Sequence, residues 1–114
     1  MLKMKNACEF PECMSDILDY MKANFACEIT LEGLSGIFGY SVTYLSRMFR
    51  KYAQVNFKTY LNCLRLEHAY GELMTTDLSV WKIAVRSGFA NSKAFTKVFR
   101  ERYGVAPGRY RRDR

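Results

Sequence analysis

Apolar residues recur at helical spacing along most of the chain. From Ser15 onward, Ile17, Leu18, Tyr20, Met21 and Phe25 predict a first helix running to about Asn24. Thr30 is the expected N-cap of a short second helix carrying Leu31, Leu34, Ile37 and Phe38, which Gly39 ends. Ser41 opens a third helix through about Tyr52, and Asn56 caps a long fourth, roughly Phe57 to Met74. Ser79 caps a fifth helix with Val80, Ile83 and Ala84, stopped at Gly88. Asn91 or Ser92 opens a sixth that reaches about Tyr103 and ends at Gly104, and Pro107 suits the first turn of a short last helix. Residues 1–13 read as a loose lead-in or linker remnant. The expected fold is all-α with about seven helices.

A repeat organises these elements. GYSVTYLSRMFR (Gly39 to Arg50) matches GFANSKAFTKVFR (Gly88 to Arg100), with one extra residue in the second turn. Gly39 and Gly88 lie 49 apart, while Phe49 and Phe99, and Tyr60 and Tyr110, lie 50 apart. A short helix, a glycine-containing turn and a second helix make a helix-turn-helix unit. The expected division is 14–55 for the first such subdomain, 56–75 for a linker helix and 76–114 for the second.

The faces of the second helix in each copy suggest a purpose. Leu45, Met48, Phe49 and Tyr52 fall at i, i+3, i+4 and i+7 and form the expected core stripe. Thr43, Ser46, Arg47 and Arg50 form a stripe out of phase with it, facing solvent. In the sixth helix Phe95, Val98, Phe99 and Tyr103 point mostly inward, and Lys93, Thr96, Lys97 and Arg100 point outward. Neither outer stripe holds an acid, whereas an ordinary solvated face mixes both signs. Arg or Lys donates to guanine in the major groove, and Ser or Thr adapts to either partner. The fourth helix, about 18 residues at 1.5 Å rise, spans about 27 Å. That is comparable with one duplex turn of about 34 Å, so helices 41–52 and 92–103 are expected in successive major grooves. Its Leu61, Leu64, Leu66, Ala69, Tyr70 and Leu73 are available to pack on both subdomains.

Charge supports that reading. The 114 residues hold 18 Lys+Arg against 11 Asp+Glu, for a net charge of +7. Residues 1–34 carry three lysines and six acids, whereas residues 35–114 carry 15 cations and five acids, so the excess lies in the later part. A basic surface suits a polyanion, whose phosphates supply the non-specific part of binding. Half the residues are hydrophobic (49%), as in a folded domain. No apolar run approaches the roughly 20 residues of a membrane span, and Glu9 and Pro11 interrupt the place of a signal sequence. A cytoplasmic protein without a membrane partner is expected.

Other chemistries find little support. Cys8, Cys13, Cys27 and Cys63 form no C-x-x-C pair, so reduced thiols are expected and no metal or cofactor. His68 is the only histidine and lacks an evident acid–base partner, and no Gly-rich phosphate loop or G-x-S-x-G exists, which argues against an enzyme. The alternative functions are a protein-interaction module using the acidic first helix, and a thiol redox sensor using Cys8, Cys13 or Cys27. Neither accounts for the doubled basic stripe.

RLEHA (Arg65 to Ala69), DLSVWKIA (Asp77 to Ala84), SGF (Ser87 to Phe89), F-x3-F (Phe95 to Phe99) and YGVAPGRYR (Tyr103 to Arg111) together resemble the AraC/XylS family of bacterial transcription regulators. The likeness runs from about Met14 to Arg111. It implies a double helix-turn-helix DNA-binding domain bridged by a long helix. It also implies regulation, usually activation, through contact with RNA polymerase.

Carried onto this sequence, the base-reading positions are Thr43, Ser46 and Arg47 in the first unit and Ser92, Lys93, Thr96 and Lys97 in the second. Ser41, Arg50, Asn91 and Arg100 are the expected phosphate partners. Arg65 is expected to be structural. Arg109, Arg111, Arg112 and Arg114 are either a solvated end or further DNA contacts. Four positions depart from the family pattern: Gly33 replaces the Glu of a capping box, Gln54 replaces a Gly after the third helix, and Gly71 and Glu72 lie late in the long helix. Family members often carry a separate effector or dimerisation domain ahead of this one. The chain is expected to be either a small stand-alone regulator or a C-terminal fragment of a longer one, since ILDYMKANF reads like the continuation of an upstream linker, and the isolated domain is expected to be a monomer.

Overall fold

The structure is a computed structural model that describes the backbone of residues 5–113 and the side chains of residues 14–113. Residues 1–4 and Arg114, and the side chains of residues 5–13, Cys8 and Cys13 among them, lie outside the described residues. The elements are α1 (Lys5–Asn24), α2 (Leu31–Phe38), α3 (Val42–Met48), a π-helical turn (Phe49–Ala53), α4 (Phe57–Thr75), α5 (Val80–Arg86), α6 (Ser92–Tyr103) and α7 (Pro107–Arg112). The described residues contain no strand.

The caps fall where the sequence places them. Thr30 Oγ1 accepts from Gly33 N at 2.9 Å and Asn56 Oδ1 from Thr59 N at 2.8 Å. Ser79 Oγ accepts from Lys82 N at 3.3 Å. Each satisfies a donor that the first helical turn leaves without a partner. The main difference at an element end is α1, which starts at Lys5 instead of about Ser15 and includes Pro11. Propagating an existing helix adds a bond per residue fixed, except at Pro11, which has no N–H to donate, so a stretch without apolar periodicity can continue it.

The described chain divides into two compact units. The first comprises the residues through Asn24 and Ile29–Leu61; the second comprises Phe25–Glu28 and Asn62–Arg114. In the first unit Met14, Ile17, Met21, Ile29, Leu34, Leu45, Met48, Phe49 and Leu61 are buried. Phe49 meets Phe57 edge-on at 5.6 Å, and Tyr20 meets Phe38 at 5.8 Å.

Tyr52 of the expected core stripe and Ile37 of the second helix are exposed. Tyr52 is 38% exposed because the turn Phe49–Ala53 closes i to i+5, takes more residues per revolution, and leaves residue 52 behind the stripe set by Leu45 and Met48. Ile37 is 56% exposed. At about 100° per residue, Leu31 and Phe38 lie to one side of Leu34 and Ile37 to the other, and only the first side is covered.

In the second unit Leu66, Ala69, Leu73, Ile83, Ala84, Phe89, Phe95 and Phe99 form one core, with Val98, Tyr103 and Tyr110 packed against it. Burying Phe95 or Phe99 contributes about 1.5–3 kcal/mol each. Rings continue outward from this core: Phe99 and Tyr103 lie 4.5 Å apart, and Tyr103 and Tyr70 stack at 5.2 Å.

Two arginines fix the loops of this unit. Arg65 Nε donates to Phe25 O and Arg65 Nη2 to Cys27 O, both at 2.8 Å, fastening the segment that joins α1 to α2. Partial burial holds the Arg65 pKa below its ordinary value, against an opposing pull from Glu28. Arg111 donates to Leu73 O (3.0 Å), Leu78 O (2.6 Å) and Thr76 O (3.1 Å), closing the turn between α4 and α5. It is therefore neither a solvated tail cation nor an open DNA contact.

Candidate nucleic-acid interface

In each unit the short helix α2 or α5 leads through a glycine at positive φ, Gly39 (80°) or Gly88 (99°), into the helix expected to meet DNA. Those helices begin at Ser41 and Asn91. Ser41 Oγ accepts from Tyr44 N at 3.1 Å, and Asn91 Oδ1 accepts from Ala94 N at 2.8 Å. Capping uses the acceptor atom of each side chain. The Ser41 O–H and the Asn91 Nδ2 hydrogens remain donors suited to a phosphate oxygen.

In the second unit the inward stripe of α6 is anchored by fully buried Phe95 and Phe99, and this fixes which residues turn out. Lys93, Lys97 and Arg100 are exposed, and Ser92 and Thr96 are half-buried beside them. A shallow concavity of about 750 Å³ is lined by Asn91, Ser92, Lys93, Ala94, Thr96, Lys97, Arg100 and Glu101. It brings together all six α6-side positions expected to contact DNA.

The first unit is less regular. Thr43, Arg47, Arg50 and Ser41 are exposed, and Ser46 is half-buried. The concavity here is smaller, about 260 Å³, and is lined by Tyr44, Arg47, Met48 and Lys51. Of the expected contact residues only Arg47 lines it. Thr43, Ser46, Ser41 and Arg50 lie beyond it.

Reading the outward stripe alone missed Tyr44, Lys51 and Glu101. The repeat offset contained the signal, since 50 residues separate Lys51 from Glu101 as they separate Phe49 from Phe99.

Other chemistries have little to work with among the described residues. Cys27 is exposed and Cys63 half-buried, both as free thiols. No group of three or more His, Cys, Asp or Glu residues is arranged to hold a metal ion, and no helix is long and apolar enough to cross a membrane. His68 Nδ1 lies 2.9 Å from the Oγ of buried Ser87, and its ring packs 5.1 Å from Phe25, which is a packing environment.

The described geometry has close counterparts. A family model described as a helix-turn-helix domain matches residues 34–113. The HTH-type transcriptional regulator YijO of Escherichia coli K12 is 38% identical over 97 residues, covering 85% of this chain and 34% of YijO, so the chain spans about a third of that relative's length. The C-terminal domain of AraT, a response regulator from Geobacillus stearothermophilus, superposes with a TM-score of 0.80 at 33% identity, covering 84% of this chain and 80% of that one. The DNA-binding domain of the transcriptional factor AdpA, solved in complex with a target DNA, superposes with a TM-score of 0.82 at 25% identity, covering 87% of this chain and 89% of that one. The chain belongs to the helix-turn-helix family of AraC-type transcription regulators.

Proposed function

We propose that this chain binds double-stranded DNA sequence-specifically, each unit inserting its second helix into a major groove, and thereby regulates transcription. One observation carries the reading: in both units that helix buries an apolar stripe and turns a cationic and small polar stripe to solvent. Thr43, Ser46 and Arg47, with Ser92, Lys93, Thr96 and Lys97, read base edges. Ser41, Arg50, Asn91 and Arg100 hold phosphates and set the register. The target DNA in the AdpA structure supports the choice of ligand. Regulation is by activation through RNA polymerase, from a cytoplasmic protein whose isolated DNA-binding part is a monomer without cofactor or catalytic role. The working division is 14–55, 56–75 and 76–114.

The test is selection of bound duplexes from a random DNA pool by the purified chain at moderate salt. Enrichment of two short motifs is the expected result, and their spacing reports how the two helices are set on the duplex. A single motif would mean that only one unit reads bases. A folded protein that enriches nothing would overturn the proposal and favour a protein-interaction role.

A further inference from the structure

Positions 51 and 101 are equivalent in the repeat, two residues after Phe49 and Phe99, yet they carry opposite charges. Both side chains are exposed, and each lines the concavity on the outward side of its own helix. In the first unit Lys51 adds to Arg47 there, so both charged side chains on that concavity are cations. In the second unit Glu101 is the one acid among Lys93, Lys97 and Arg100.

Resting on the DNA reading above, we infer that both units read bases but with unequal strictness, and that this charge reversal sets the difference. Lys51 adds to the first unit an attraction to phosphates of any sequence. Glu101 makes the second unit selective. A carboxylate beside a phosphate is repelled, and the repulsion grows as water is excluded between them. A helix carrying Glu101 therefore settles poorly when it merely rests on the backbone. Seated in the groove, the same carboxylate has a favourable use, because it accepts a hydrogen bond from the N4 amino group of cytosine. Penalising the wrong mode while tolerating the right one is how specificity is gained without added affinity. The cations of α6 alone would bind both modes.

The experiment compares wild type with Glu101→Gln, Glu101→Lys and Lys51→Gln on two probes: a duplex recovered by the wild-type selection, and the unselected random-sequence pool. Both positions are exposed, and circular dichroism verifies the fold of each variant. Glu101→Lys is expected to tighten binding to the unselected pool by about five- to tenfold at low salt and to steepen its log K against log salt slope by about 0.9. Binding to the selected duplex gains less than about twofold, so the ratio of specific to non-specific affinity falls. Glu101→Gln shifts the ratio in the same direction by about two- to threefold, because it removes repulsion without adding a cation. Lys51→Gln weakens both probes by the same factor and makes both slopes shallower by about 0.9.

Equal changes on both probes in the Glu101 variants, or none, would overturn the inference and leave Glu101 an ordinary solvated acid. A change of the specificity ratio in Lys51→Gln would overturn the role given to Lys51. Failure of the underlying reading looks different: wild-type protein would bind neither probe in a salt-dependent way.

Discussion

Gly88 and Arg65 leave no room for a side chain between them: a Cβ at residue 88 would lie 2.7 Å from Arg65 Nε and 2.7 Å from Phe25 O. The glycine also sits at φ 99°, where L side chains are strained. The turn between α5 and α6, the guanidinium of α4 and the segment Phe25–Glu28 thus share one close-packed point. Gly88→Ala is expected to destabilise the protein by at least about 3 kcal/mol, read as the shift of a denaturant midpoint. A loss below about 1 kcal/mol would show that the turn re-forms around the methyl.

Arg111 serves three carbonyls at the turn between α4 and α5. Arg111→Ala should cost about 2–4 kcal/mol. Arg111→Lys should recover little of this, because a lysine lacks the planar fork. At a temperature where each variant is folded, DNA affinity should stay within about twofold of wild type. A large loss of affinity in a stable Arg111 variant would reassign it to the interface.

Arg47 and Lys97 occupy equivalent repeat positions and each lines its own concavity. The double substitution to alanine is expected to abolish discrimination between a selected duplex and random DNA while leaving the helical signal and unfolding midpoint unchanged. Each contact of this kind is worth about 1–3 kcal/mol of discrimination. Unchanged affinity in the folded double variant would sink the assignment of both helices.

The ion pair of Glu72 with Arg86 makes stability depend on acidity. Arg86 Nη2 lies 2.7 Å from Glu72 Oε2, and Arg86 Nε lies 3.0 Å from the same oxygen. The hydrogen bond from Arg86 holds the Glu72 carboxyl below its ordinary 4.5, with partial burial opposing and the charges of His68 and Arg86 assisting. Because the folded pKa is the lower one, the stabilisation is fully present above 4.5 and is lost as pH falls through the folded value. Glu72→Gln should therefore be less stable than wild type at neutral pH, with a gap that closes as the solution is acidified. Urea midpoints across the acid range measure it, and a gap independent of pH would refute the linkage.

The parts legible in the sequence were those governed by local chemistry. Thr30, Ser41, Asn56, Ser79 and Asn91 are caps because a short side chain can reach a nearby backbone N–H, an interaction confined to three residues. Phe95 and Phe99 announced the inward face of α6 through spacing alone. What spacing could not convey depends on departures from ideal rotation or on distant partners. Tyr52 left its stripe because of one wide turn, Ile37 because a two-turn helix is covered on one side only, and Arg111 because its carbonyls lie more than thirty residues away. The concavities depend on neighbouring side chains as well as phase, so Tyr44, Lys51 and Glu101 emerged only with the structure.

The wide turn at Phe49–Ala53 ends on Gln54 at φ 62°, where the second unit places Gly104 at φ 85°. The glycine adopts that conformation freely; the glutamine holds it at a cost of about 1–2 kcal/mol. The two units are thus twins with unequal hems. In hydrogen exchange the amides of residues 50–55 should open well before those of 100–105, and Gln54→Gly should bring the two rates together.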